Sequence, residues 1–260
     1  MRKLKEININ SILFLDIETA PQWQTLQQAP EHVKKEWIYK FKYRDGAPDD
    51  PVEMAKKNQN YDQKYFKDKY ENYFSDLWLK QASFFPEFSR IICISVGYMA
   101  GSVLRIKSYF DENESLLLTK FNNDYSSFDA HVKGVRPLAH YGKGFDFPFI
   151  AKRMIIHRMN LPYSLDNYGL EPWKQLAIDT QEIWKVGGRG DSATIGSMAM
   201  AFGLPSPKDD IGGADVAKCY FNGEIDRIVK YCEKDMITLV NVFKFIRGEE
   251  TLNENQVEFI

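Results

Sequence analysis

Hydrophobic and polar positions follow two rhythms along this chain, and together they predict alternating strands and helices. Ile12-Leu13-Phe14-Leu15 is a continuous apolar run, resumed by Ile17 after Asp16, as in a strand buried on both faces. Arg90-Ile91-Ile92-Cys93-Ile94-Ser95-Val96-Gly97-Tyr98 reads as a central strand. Gly101-Ser102 is a tight turn into residues 103–109, whose alternation predicts a hairpin partner with one wetter face. Residues 135–141 are a further strand, with Pro137 near its start, and residues 176–180 are a short apolar run leading into a turn or helix. Helical spacing recurs at 111–128, around Leu116, Leu117, Leu118 and Phe121, and again after Asp146. It recurs once more at 193–202, which ends at Gly203. The longest helix spans 224–247 and closes at Gly248, with apolar positions Ile225, Val229, Cys232, Met236, Leu239, Val240, Phe243 and Ile246.

Residues 22–80 have a different character. Aromatics such as Trp37, Tyr39, Phe41, Tyr43, Tyr61, Tyr65 and Trp78 are interleaved with lysines and acids, and residues 45–51 form a loop rich in Asp, Gly and Pro. Phe66, Tyr70, Tyr73 and Leu77 have the spacing of an amphipathic helix. Aromatics beside lysines can stack bases and hold phosphates, but a stripe of this kind with nearly balanced charge reads first as core. The segment is expected to be a helical insertion packed on the main domain.

Composition narrows the class. At 260 residues, 44% hydrophobic and 27% charged, the chain is globular and neither disordered nor fibrous. No membrane span is expected, since the apolar stretch from Ile91 to Leu104 is broken by Ser95, Gly97, Gly101 and Ser102. Its N-terminus is too polar to lead into a secretory signal. Three cysteines without a Cys-x-x-Cys argue against a disulfide framework or a zinc site and fit a reducing cytoplasm. With a net charge of -2, a polyanionic partner would have to be held locally, by a basic patch or by metal ions.

The candidate chemistry lies in acids at the ends of these elements. Asp16 and Glu18 are two apart on an extended segment, so both side chains point to the same side. At ~4 Å and an effective dielectric of ~20 their repulsion is roughly 4 kcal/mol. A shared proton or a hard cation would relieve it; alternatively, one acid caps the next segment and the other is solvated. Asp146 sits where a helix N-cap is wanted. Asp179 reads as a cap, or as a residue supporting a metal site. The Gly-Gly-Arg-Gly-Asp-Ser stretch at 187–192 is a loop before a helix capped by Asp191 or Ser192. Tyr231 and Asp235 are four apart and share one helix face.

Each acid has a structural explanation when taken alone. As an ordered set, Asp16-Ile17-Glu18, Asp146 and Tyr231-Cys232-Glu233-Lys234-Asp235 resemble the DEDD 3′–5′ exonucleases in their tyrosine (DEDDy) form. No histidine follows His157, which excludes the histidine form. A closer resemblance is to bacterial predicted exonucleases related to the proofreading domain of family-B DNA polymerases. It is carried by residues 14–19, 85–91, 143–149 and 203–208 and by the Tyr231-to-Asp235 motif, and it covers most of the chain outside 22–80. One departure is Tyr141, where relatives commonly have Asn before the Gly-Lys run. It bears on substrate contacts there and not on the acids.

The resemblance implies an α/β, ribonuclease H-like mixed central sheet flanked by helices. Residues 1–260 would form a single exonuclease domain, with 22–80 a helical insertion after the first strand. By the same resemblance, Asp16, Glu18, Asp146 and Asp235 would hold two divalent ions, Mg²⁺ or Mn²⁺, and Tyr231 would orient the attacking water. Two such ions about 3.5–4 Å apart activate water on one side of a phosphodiester and stabilise the leaving oxygen on the other. The implied partner is nucleic acid with a free 3′ end, single-stranded DNA ahead of RNA, and the implied product is a nucleoside 5′-monophosphate. A phosphatase of the haloacid dehalogenase type would need Asp-x-Asp-x-Thr, whereas Glu18 replaces the second Asp and Thr19 comes one position early. A catalytically silent nucleic-acid-binding module on the same fold is the remaining alternative.

Overall fold

A computed structural model describes residues 2–57, 63–171, 174–188, 190, 192–205 and 210–260. In chain order the elements are α1 (Arg2–Lys5), β1 (Ile12–Pro21), α2 (Glu31–Phe41), α3 (Pro51–Lys57), α4 (Gln63–Gln81), β2 (Ser89–Ala100) and β3 (Val103–Tyr109). These are followed by α5 (Glu114–His131), β4 (Arg136–Ala139), α6 (Asp146–Ile156), β5 (Ile178–Asp179), α7 (Thr180–Lys185), α8 (Ile195–Ala201), α9 (Val216–Phe221), α10 (Ile225–Arg247) and β6 (Val257–Phe259). The chain divides into two compact units, residues 1–19 with 91–260, and residues 20–90.

The larger unit is built on a six-stranded sheet of order β5-β4-β1-β2-β3-β6. Strand β1 runs parallel to β4, and β4 parallel to β5, while β2 and β3 form the expected antiparallel hairpin through Gly101, whose φ is +65°. Strand β6 adds parallel to β3, so the sheet is mixed. Both faces of β1 are covered, as its unbroken apolar run requires. Leu13, Leu15 and Ile17 enter a cluster with Leu117, Leu118 and Phe121 of α5 and Phe147, Ile150 and Met154 of α6. Ile12 and Phe14 enter the opposite cluster, with Met236, Leu239, Val240 and Phe243 of α10. Each fully buried side chain contributes roughly 1.5–3 kcal/mol. The period of two along β1 therefore decides which helix each residue meets.

Several boundaries differ from the pattern-based expectation. Helix α5 starts at Glu114 because Asn113 caps it, accepting from the Ser115 N–H at 3.0 Å; Asp111 instead pairs with Lys120 at 2.9 Å. Strand β4 ends at Ala139, where the His140 ring turns away to bond Thr180 Oγ1 and the Ala193 carbonyl. Asp146 is the first residue of α6 and not its N-cap, a position taken by Phe145 without a side-chain bond. Thr194, and not Ser192, caps α8 through the Ser197 N–H at 3.1 Å; Asp191 and residues 206–208 of the 203–208 motif lie outside the described residues. Strand β6 has no counterpart in the hydrophobic pattern, being only three residues long. Among the described residues no helix is long and apolar enough to cross a membrane.

The smaller unit packs its helices around Trp37, Phe41, Phe74, Trp78 and Phe88. Both buried indoles find acceptors at 3.0 Å, Trp37 at the Phe74 carbonyl and Trp78 at the Trp23 carbonyl. Leu77 is buried, and Tyr70 and Tyr73 pack against this core, so that part of the α4 stripe is core. Tyr39, Tyr43 and Tyr65 are exposed. Tyr61 and the Phe66 side chain lie outside the described residues.

Candidate active site

The acids on β1 continue the face that begins with Ile12 and Phe14. Period-two geometry places Asp16 and Glu18 on that face, the one that meets α10. The α10 residues at that end are Tyr231, Cys232 and Asp235. Glu18 is 9% exposed and Asp146 4%. Single oxygens of Asp16 and Glu18 and the Cys232 sulfur all lie within 4.8 Å of one another. The Cys232 thiol donates to Asp16 Oδ2 at 3.2 Å. On α10, Asp235 lies one turn from Tyr231 and acts on its hydroxyl electrostatically.

Asp146 reaches the same place from the other side of β1. Its carboxylate accepts from its own N–H and from the Ile17 N–H, which ties the start of α6 to the strand. The loop before it is set by Asp179, buried at the end of β5. Asp179 caps α7 through the Gln181 N–H at 2.9 Å and accepts the Tyr141 and Lys143 N–H groups at 3.0 and 3.1 Å. It is therefore a cap and a support for the site together. Tyr141 has φ +60°, an arrangement that costs a bulky L residue on the order of 1–3 kcal/mol. The Tyr141 carbonyl accepts from the Gly144 and Phe145 N–H groups at 3.0 and 2.9 Å, which helps hold that conformation. Its half-exposed ring lies against Gly144, where a Cβ would come within 2.5 Å of the ring carbons.

Electrostatics follow from this crowding. Burial pushes the Asp16 carboxyl well above the usual carboxylate range, and Asp235 and Asp146 push it further. Glu18 moves the same way through burial, then Asp16 and Asp235. Asp146 is pushed up to about 7, mainly by burial, with Asp179 adding to it. The Tyr231 hydroxyl is raised by burial and by Asp235, Glu18 and Asp16, so it stays protonated at neutral pH. Buried carboxylates that repel one another in this way suit a hard cation, which favours oxygen donors and would relieve the repulsion. The donor set therefore fits divalent metal.

Of the five residues singled out in the sequence, Asp16 and Glu18 are brought into one close group with Cys232, while Asp146, Tyr231 and Asp235 are near enough to interact with them electrostatically. One further residue was not anticipated in its present role. Cys232 read as one more apolar position on α10, although its place three residues before Asp235 puts it on the same helix face. Asp179, read as a cap or as a residue supporting a metal site, caps α7 and also holds the loop before Asp146, through bonds to residues 141 and 143 that span 38 and 36 positions.

Comparison with known proteins agrees with this geometry. A family described as predicted 3′–5′ exonucleases related to the exonuclease domain of PolB matches residues 82–258. The match starts beyond β1, so Asp16 and Glu18 join the matched region through the place of β1 between β4 and β2. No curated protein matches the chain. Among solved structures, the family B DNA polymerase from the hyperthermophilic archaeon Pyrobaculum calidifontis matches with a TM-score of 0.51 and 14% identity, over 90% of this chain and 24% of that one. This chain thus spans about a quarter of the polymerase's length, and the likeness is one of fold. It agrees with a ribonuclease H-like mixed sheet flanked by helices. On the extent of the family match, the chain belongs to the predicted 3′–5′ exonucleases related to the exonuclease domain of PolB.

Proposed function

We propose that this protein is a divalent-metal-dependent 3′–5′ exonuclease that removes nucleoside 5′-monophosphates from nucleic acid with a free 3′ end, single-stranded DNA in preference to RNA. The observation that carries the reading is the close approach of Asp16 and Glu18, with ligand atoms within 4.8 Å of each other and of Cys232, where desolvation and neighbouring acids disfavour both charged forms. Asp16, Glu18, Asp146 and Asp235 would hold the ions, Mg²⁺ or Mn²⁺. Bound there, two such ions would supply charge neutralisation at the phosphodiester, an activated water and a stabilised leaving oxygen. Tyr231, kept protonated and one helix turn from Asp235, would orient the attacking water through its hydroxyl. The preference for DNA rests on kinship with a polymerase-related family. We further propose that residues 1–260 act as one exonuclease domain in which 22–80 are an insertion, and that it works in a reducing cytoplasm, where its three buried thiols stay free.

Degradation of 3′- and 5′-labelled single-stranded DNA, mismatched duplex and RNA tests the proposal with Mg²⁺, Mn²⁺ or EDTA. Loss of 3′-terminal mononucleotides that requires the metal and stops in EDTA is expected. Cleavage that persists in EDTA would overturn the metal dependence. Binding without cleavage on every substrate would leave a nucleic-acid-binding module.

A further inference from the structure

The metal-facing acids on β1 have a partner that the proposed chemistry does not use. Among the described residues, Cys232 is the one side chain that hydrogen-bonds the Asp16 carboxylate, Sγ to Oδ2 at 3.2 Å. The same sulfur lies 3.6 Å from the Asp16 carbonyl oxygen, so the thiol spans both the side chain and the backbone of that residue. Cys232 is itself fully buried and sits on α10 between Tyr231 and Asp235. Behind it stands Cys93, fully buried on the neighbouring strand β2.

A carboxylate on a strand can rotate about its side-chain bonds, and in a crowded acidic site repulsion from its neighbours favours turning away. A donor fixed by packing on both sides removes that freedom. A cysteine suits this place because it packs as a small hydrophobe against the core while offering a weak donor at its tip. A stronger basic donor would compete with a cation for the same carboxylate.

We propose that Cys232 is a positioning residue that holds Asp16 Oδ2 and so fixes the orientation in which Asp16 meets a divalent ion. This inference rests on the exonuclease reading of the same site, and its test separates the two. Mn²⁺ binding to the intact protein is followed by the loss of the free-ion electron paramagnetic resonance signal, with thermal unfolding in EDTA measured in parallel. In C232A, Mn²⁺ binding is expected to weaken about tenfold, and C232S, whose hydroxyl can still donate, to recover most of that loss. C93A removes comparable buried volume behind the thiol and is expected to lower the unfolding midpoint while leaving Mn²⁺ affinity within about twofold. Should C232A fail to fold, C232V, which fills the volume without a donor, is expected to show the same tenfold loss. Wild-type affinity in C232A or C232V, or loss of affinity in C93A that tracks its loss of stability, would overturn the positioning role alone. A wild-type protein that binds no Mn²⁺ would overturn the metal-dependent reading and this inference with it.

Discussion

Two groups of buried acids lie within the larger unit, and they are built on opposite principles. Glu114, 5% exposed, is held by the Arg153 guanidinium, by His157 Nε2 at 2.9 Å and by the Ile91 N–H at 2.7 Å. Burial pushes its carboxyl up, but the bonds from Arg153 and His157 outweigh that and leave it below its ordinary value. Glu18 and Asp146 are about as deeply placed and Asp16 is half-buried beside them, yet desolvation and neighbouring acids leave all three raised. Glu114 ties α5, α6 and β2 together as a satisfied structural ion pair. The other group stores electrostatic strain, which is tolerable where a cation binds and wasteful elsewhere. Burial of an acid therefore says little until its partners are known.

The comparison can be broken from either side. The largest effect is expected for Asp16→Asn: 3′-terminal cleavage should fall about 10³-fold, while thermal unfolding in EDTA shows no loss of stability. An Asp16→Asn variant that unfolds readily would place this acid in the structural class. Glu114→Gln should do the reverse. It leaves the Arg153 charge buried without its counter-ion and is expected to cost roughly 3–5 kcal/mol at pH 7 by denaturant titration. The folded fraction should keep its cleavage rate.

The two groups should also respond to pH with opposite sign. Glu114 is lowered in the fold, so its contribution is present above its unfolded value near 4.5 and is lost as pH falls. Asp146 is raised from 3.8 to about 7, so the native state keeps a proton that the unfolded chain has released. Its contribution therefore disappears progressively as pH rises from about 4 to about 7. Metal-free Asp146→Asn should match the wild type near pH 4. By pH 8 it should exceed it by on the order of 1–4 kcal/mol; equal stability at both values would show that Asp146 is not strained. The smallest effect is expected at Tyr231→Phe, which keeps the ring and removes the hydroxyl. Cleavage should slow roughly tenfold, with Mn²⁺ affinity unchanged, as befits a group that orients water without touching the ion.

Much of this was legible in the chain because it depends on short-range rules. Asp16 and Glu18 share a face because extended backbone repeats every two residues, and Tyr231 and Asp235 share one because a helix repeats every 3.6. Gly248 marks the end of α10 with φ +73°, as its position suggested. Terminal details were less legible where neighbours competed for the same role: Asn113 took the cap of α5, and Thr194 that of α8.

By itself the sequence determined most of the longer strands and helices, the two faces of β1 and a short set of oxygen donors from which a divalent-ion site could be drawn. These follow from backbone periodicity, apolar patterning and donor chemistry, which act within a few residues. Tertiary structure decided that β1 lies between β4 and β2, that Asp146 bonds the Ile17 N–H, and that Asp179 holds the loop leading to Asp146. It also turned Cys232 from a core position into a partner of Asp16 across 216 residues. Contacts of that range depend on which surfaces pack together once the whole core is assembled, and no local pattern encodes them.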